Sequence, residues 1–167
     1  MILYCKENLQ EIKYLIALLT NLQYTYKSPM LANASIGQHI RHILEFYICL
    51  RNGAAVGIVN YDKRERDLEL EENKNFAMYT IDKICNNMSL LEGVGEIKLE
   101  GNFSSEEDAV STIRTFVNRE LAYCLEHSIH HQALIKVGLL EQNLEHLAHV
   151  NFGLAPATIR HRESLQH

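Results

Sequence analysis

The chain has 167 residues, of which 47% are hydrophobic and 22% are charged, proportions typical of one globular domain. Sixteen basic and twenty-one acidic side chains give a net charge of −5. This charge disfavours nucleic acid and anionic membranes as partners, because both select a basic protein face.

The whole chain, residues 1–167, is predicted to be a single domain in the cytoplasm. It contains no apolar run of about 18 residues, and its amino terminus lacks a signal-peptide pattern. The four cysteines are scattered without a CxxC pair, which favours reduced core thiols over disulfides or metal ligands.

Two amphipathic helices are predicted in the first third of the chain. Apolar residues recur at steps of three and four over residues 7–24, at Leu9, Ile12, Leu15, Leu19 and Leu22. Ser35 and Gln38 have the spacing of a capping box, which predicts a second helix from Ile36 to about Leu50.

The remainder of the chain predicts two more long helices with a short hairpin between them. The third helix is expected over residues 67–91, and alternation in the sequence EIKLE then indicates strands. Thr115 is expected to cap a fourth helix over residues 116–140, followed by an irregular tail. The predicted fold class is all-α: a four-helix bundle with a short β-hairpin or irregular insertion between the third and fourth long helices.

The fourth helix carries two histidines four residues apart. At about 100° per residue, His127 and His131 fall on the same stripe as Cys124 and Ile135, which predicts that both face neighbouring helices. Such a pair can share one metal ion, but the same spacing also occurs in helices whose histidines are simply hydrogen-bonded in the core.

A third metal ligand is expected from the second helix, which offers His39 and His42. Helical phase favours His39, since it lies nearer the centre of the apolar stripe. His42 lies at the stripe's edge, where a bundle helix can contact its second neighbour. The spacing leaves both possibilities open.

These motifs, taken in this order along the chain, resemble the DinB-like (YfiT-like) superfamily. The resemblance rests on HILE at residues 42–45 and on HSIHH at residues 127–131. It implies a four-helix bundle that binds a divalent metal through His42, His127 and His131, with His39 and His130 as supporting neighbours. Gln132 and Ala133 replace the Arg-Gly pair of many relatives, which separates this chain from the thiol-transferase-like members.

A three-histidine site leaves coordination positions open, as catalytic metal sites do. The expected ion is zinc or nickel, and iron and copper are alternatives, because imidazole is a suitable ligand for all four metals. The predicted function is a metal-dependent hydrolase or transferase, with thiol transfer as one reaction, acting on a small molecule. The alternative is a non-catalytic metal- or ligand-binding bundle with a role in stress. A homodimer is also expected.

Glu120 is the candidate catalytic base, because it lies on the histidine stripe about two turns before His127. The alternative is a buried carboxylate paired with Arg41 or Arg119. Glu45 and Asp62 are weaker candidates, since both positions can simply be solvated. Tyr61, Arg64 and Arg160 are candidates for binding an anionic substrate.

Overall fold

The computed structural model describes residues 1–106 and 109–165. This part of the chain is mostly helical and contains one small sheet. Its helices are α1 (Ile2–Leu18), α2 (Asn21–Thr25), α3 (Ile36–Val56), α4 (Glu69–Glu72), α5 (Lys74–Asn87), α6 (Val117–Glu141) and α7 (Pro156–Ser164). Its strands are β1 (Ile58–Val59), β2 (Glu96–Asn102) and β3 (Val110–Phe116).

The four long helices, α1, α3, α5 and α6, pack against one another. Helix α3 makes its most extensive contact with α6, while α1 contacts both α5 and α6. The apolar stripes of these helices form one core, including Leu9, Ile12, Ile40, Leu44 and Ile135. Burial of these stripes supplies the main favourable contribution to folding.

The first predicted helix is divided into two. Helix α1 starts earlier than expected and ends at Leu18, and the chain is extended at Leu19. Thr20 and Gln23 then form a capping box that starts α2. The apolar spacing continues through this break, so the periodic pattern alone did not reveal it.

The prediction for the start of α3 is confirmed. The Ser35 hydroxyl accepts a hydrogen bond from the Gln38 backbone, and the Gln38 side chain accepts one from the Ser35 backbone. The helix runs beyond the predicted end to Gly57, whose φ of 79° is favourable for glycine. Gly53 lets β1 approach α3 closely, because a Cβ there would lie 2.8 Å from the Val59 Cα.

The third predicted helix is also interrupted. Asn73 has an extended backbone conformation, and its side chain accepts hydrogen bonds from the backbones of Asn75 and Phe76. It therefore ends the short α4 and caps α5. The last predicted turn, Met88–Leu91, is a 3₁₀ helix.

The predicted hairpin is confirmed, and β1 adds a strand that was not predicted. Strands β2 and β3 pair antiparallel, with Leu99 opposite Ile113, and β1 pairs parallel to β2. Because β1 has only two residues, no alternating pattern could reveal it. Helix α7 was also missed, although Pro156 stands at its first turn, a favoured position for proline.

The role predicted for Thr115 as a helix cap is wrong. Phe116 occupies the cap position of α6, and no side-chain cap hydrogen bond forms there. The Thr115 hydroxyl instead donates to the Glu120 carboxylate over 2.7 Å.

All four cysteines carry free thiols. Cys5, Cys85 and Cys124 are buried and Cys49 is half-buried, in line with the expectation of reduced thiols in the core. Within the described residues, no helix combines the length and apolar character needed to cross a bilayer.

Candidate metal centre

Contact between α3 and α6 brings three histidines together. His42 projects from α3, and His127 and His131 project from α6. One ring nitrogen from each lies within 4.8 Å of the others. The i, i+4 pair on α6 and the single residue on α3 thus converge on one point.

The three rings are in direct contact. The Nε2 atoms of His42 and His127 are 2.9 Å apart. The ring centroid of His131 lies 4.6 Å from that of His42 and 4.6 Å from that of His127. All three residues are half-buried, so the cluster is open to solvent on one side.

The second candidate ligand on α3, His39, lies beside the cluster. Its Nδ1 atom is 2.9 Å from the Nδ1 atom of His131, and its Nε2 atom is buried without a hydrogen-bond partner. The hydrogen-bond partner of His39 is therefore another imidazole. His130 is exposed, and its ring stands edge-on to His131.

The predicted orientation of α6 needs a correction. The buried stripe includes the polar residues Ser128 and Gln132, while both predicted ligands lie at its margin. Asn8 of α1 explains this burial: it accepts a hydrogen bond from Ser128 and donates one to the Gln132 side chain. A helical wheel that treats only apolar residues as buried places Ser128 and Gln132 on the exposed side of α6. It therefore predicts a buried face that is rotated towards the histidines, although both polar side chains are buried and hydrogen-bonded.

Burial holds the histidine rings in their neutral form. It is the main cause that lowers the pKa of His42 to about 4 and that of His131 to about 3. The Arg64 charge adds to the effect at His42, and the neighbouring histidines add to it at His131. The pKa values of His39 and His127 are lowered as well, chiefly by burial.

Arg64 connects the loop after β1 to the histidine cluster. Its NH2 group donates to His42 Nδ1 over 3.1 Å, its Nε to Glu45 over 3.2 Å, and its NH1 to the Tyr61 carbonyl over 2.9 Å. Its guanidinium also lies over the Phe46 ring, 5.3 Å from the centroid. In this structure three hydrogen bonds therefore hold the loop arginine against the cluster.

Glu45 is the buried anion that holds this arrangement. Of the two interpretations, a solvated position is excluded for Glu45, because the residue is only 3% exposed. Its carboxylate pairs with both Arg64 and Arg41 and also accepts the Asp67 backbone N–H. Burial raises the pKa of Glu45, and these partners oppose that rise.

Glu120 is fully buried on the other side of the aromatic residues. Its Oε2 accepts the Tyr61 hydroxyl over 2.9 Å, and its Oε1 accepts Thr115 and Arg119. Arg41 pairs with Glu45 and Glu71 instead. Arg41 and Arg119 were the two arginine partners considered for Glu120, and Arg119 is the one observed. In the described part of the chain, no histidine is among its hydrogen-bond partners.

Aromatic rings connect the histidines with Tyr61. Phe46 stacks on His127 at 4.4 Å and on Tyr61 at 4.7 Å between centroids, and Tyr123 lies 5.7 Å from His127. The packing of Phe46 and Tyr123 against His127 was not predicted from the sequence. Their spacing offered a signal, because each lies four residues from a predicted ligand on the same helix.

Phe46, Tyr61 and Tyr123 line a cavity of about 200 Å³, whose lining includes none of the histidines. Its wall combines aromatic and apolar side chains with two arginines and two carboxylates, and it includes Phe46, Tyr61, Asp62, Arg64, Leu99, Glu100, Phe103, Arg119 and Tyr123. The volume lies below the roughly 300–1,000 Å³ of sites for drug-sized ligands. It suits a small molecule or one group of a larger one.

The remaining candidates lie farther from the cluster or have other partners. Asp62 is exposed and accepts the Asn102 backbone N–H over 2.8 Å. Arg160 is exposed on α7. Cys124 is 1% exposed, and its sulfur lies 3.7 Å from the Tyr61 hydroxyl. Burial raises the pKa of Cys124, which keeps the thiol protonated.

Comparison with known proteins yields one partial similarity. The chain is 33% identical over 112 residues to FK506-binding protein 5 of Rhizopus delemar. The match covers 64% of this chain and 28% of that protein. No family model matches the chain, and no solved structure matches it.

We predict that the metal-free protein loses stability in mild acid. Unfolded histidines titrate near 6.5, whereas His42 and His131 in the folded protein titrate near 4 and 3. The unfolded chain therefore binds more protons between these values, and the free energy of unfolding falls as the pH drops below about 6.5. Urea unfolding after chelation, at pH 7.5, 6.0 and 5.0, measures this loss.

A His131→Gln variant serves as the matched test of the cause. It removes one depressed group and should make the decline between pH 7.5 and 5.0 shallower. A Gln variant of Leu22, an apolar residue that is 83% exposed on α2, should leave the slope unchanged. Equal slopes in the wild-type chain and the His131 variant would contradict this assignment.

Proposed function

We propose that this chain is a DinB-like four-helix bundle that binds one divalent transition metal through His42, His127 and His131. The observation that carries the proposal is the convergence of three ring nitrogens within 4.8 Å of one another from two packed helices. The helical core of α1, α3, α5 and α6 suits such a bundle. The four free thiols fit a reducing compartment such as the cytoplasm.

The donor set fits a transition metal. Neutral imidazoles are the ligands such ions need, and the low pKa values of these rings keep them neutral at pH 7. Zinc and nickel are the first candidates, with iron and copper next. Three protein ligands leave at least one coordination position free, as in catalytic zinc sites.

His39 fits the role of supporting His131. If His131 binds the ion through Nε2, its Nδ1–H can donate to His39 Nδ1, which lies 2.9 Å away. Histidine ligands of metals commonly use the second nitrogen in this way, which fixes the orientation of the ring.

Arg64 opposes metal binding at His42. An arginine can only donate, so the contact with His42 Nδ1 leaves the proton of the neutral ring on Nε2, facing His127. Binding through Nε2 requires that proton to move to Nδ1, where it would face the guanidinium. Arg64 must then withdraw, and Glu45, one turn along α3, becomes the acceptor available to His42.

When bound, the metal would supply Lewis acidity to a substrate group at the open coordination position. The cavity lined by Phe46 and Tyr123, whose rings contact His127, would hold the apolar or planar part of a small substrate. The Tyr61 hydroxyl would take up a proton from the substrate and pass its own to Glu120 Oε2, 2.9 Å away. Glu120 thus acts as the base through Tyr61, in a hydrolase or a transferase reaction.

A non-catalytic metal- or ligand-binding bundle is the second candidate. The observation in its favour is that Glu120 already accepts hydrogen bonds at both carboxylate oxygens. Hydrogen bonds at both oxygens leave fewer lone pairs free to receive a proton from a substrate. Turnover separates the two candidates.

Metal content is the first test. We expect about one divalent ion per chain after gentle purification or after loading with zinc or nickel, as for a single three-ligand site. Alanine at His42, His127 or His131 should abolish binding, measured by elemental analysis. His130→Ala should keep the metal. A wild-type protein that takes up neither ion would refute the proposal.

Loss of Arg64 should strengthen metal binding. We expect Arg64→Met to lower the dissociation constant about tenfold, because it removes a competing donor from His42 and a positive charge near the ion. Arg51→Met is the matched control. It also removes one positive charge, but Arg51 lies on α3 and hydrogen-bonds to Asn52 instead of His42. Competition titration with a chromogenic chelator measures both. Equal effects of the two variants would show that only net charge matters.

Tyr61→Phe should separate catalysis from binding. We expect this variant to keep its metal and its fold, and to lose roughly 10²-fold or more in turnover, the usual contribution of a proton-transfer group. Tyr79→Phe, an exposed tyrosine, is the control. A panel of ester, amide and thiol-transfer substrates with metal-loaded protein measures turnover. If the wild-type chain has no metal-dependent turnover on the panel, the non-catalytic candidate replaces the enzyme.

A further inference from the structure

Strand β3 has an outer edge with no partner among the described residues. The sheet order is β1-β2-β3, so the backbone groups on one side of β3 face outward. The strand is seven residues long, lacks proline and carries one charge, at Arg114. Native edge strands are usually protected by shortness, proline, bulges or several charges, because an open edge can pair with another chain.

Ile113 is incompletely covered in the single chain. It lies opposite Leu99 and on the same face as Ile97 and Thr115, which are 3% and 6% exposed. Ile113 itself is 48% exposed. The sheet ends at β3, so this inward-facing side chain has a neighbour on one side only. Another strand beyond β3 would cover it.

We infer that this edge is a homodimer interface, in which two β3 strands pair antiparallel about a two-fold axis at Ile113. In this register, all seven residues of the strand have a partner. Ile113 faces the same residue of the second copy. The strand is thus complementary to itself, as an interface between identical copies must be.

The residue pairs of this register are favourable. Val110 lies opposite Phe116 of the second copy, an apolar pair of a β-branched and an aromatic residue. Ser111 lies opposite Thr115, and Thr112 lies opposite Arg114. Moving the axis to Arg114 would set two guanidinium groups directly opposite each other, which is destabilising. The register centred on Ile113 avoids this contact and pairs all seven residues of the strand.

The small number of residues at this edge predicts a weak dimer. Stable interfaces engage roughly 20–30 residues a side, and this edge offers seven residues together with exposed neighbours such as Phe103. We therefore expect a dimer that dissociates on dilution. Because Leu99 and Phe103 also line the cavity of about 200 Å³, the second copy would lie close to its wall.

Sedimentation velocity over a range of concentrations tests the interface. The wild-type chain should form dimers as the concentration rises, and Ile113→Lys should weaken self-association about tenfold or more, since two ammonium groups would meet at the axis. Leu22→Lys changes an apolar residue that is 83% exposed elsewhere, on α2, and should keep the dimer. A monomer at every concentration, or equal effects of the two variants, would overturn the inference.

A cross-linking experiment fixes the register and does not depend on the lysine variant folding. Ile113→Cys should give a covalent dimer with a short bis-maleimide, because the two side chains meet at the axis. Val110→Cys should give much less, since its counterpart lies near the far end of the paired strands. Each yield is measured above that of the wild-type chain, which has the same four native thiols. Equal yields at the two positions would overturn the register.

Discussion

The contact between α3 and α6 is the feature on which the candidate site depends. It places three half-buried imidazoles within 4.8 Å of one another. Partial burial has two consequences that act together: it depresses the pKa values of the rings, and it leaves one side of the cluster accessible. Neutral rings on an open side provide what a substrate-accessible metal site requires.

Buried polar groups set the geometry around this contact. Asn8 satisfies Ser128 and Gln132 between α1 and α6, so α6 is held with its histidines towards α3. Glu45 on α3 fixes the loop that carries Arg64. Such groups are stable in a core only when their hydrogen bonds are satisfied, and this requirement fixes the orientation of each element.

The sequence predicted the three histidines of the cluster better than the orientation of the helices that carry them. The i, i+4 spacing on α6 and the capping box at Ser35 are patterns within a few neighbouring residues. Such patterns can be recognised without knowledge of the fold. Phase alone chose His39 over His42, whereas the structure places both at the cluster, with His42 in the group of three. Helix phase failed on α6 because Ser128 and Gln132 are polar yet buried.

Contacts distant in sequence could not be predicted. The ion pair of Arg64 with Glu45, the hydrogen bond of Tyr61 to Glu120 and the pairing of β1 with β2 all depend on which elements meet in three dimensions. The breaks at Leu19 and Asn73 were missed for a different reason. Each is caused by a single polar side chain capping the next helix, inside a stretch whose apolar period continues.

X-ray absorption spectroscopy of the metal-loaded protein tests the central claim most directly, because it reports the ligands of the ion themselves. For zinc, we predict histidine nitrogens at about 2.0–2.1 Å, with the outer scattering pattern of three imidazole rings and no sulfur shell at about 2.3 Å. Loss of one imidazole from that pattern in a variant at His42 would be consistent with the assignment. A sulfur ligand, or a shell containing only oxygen, would contradict it.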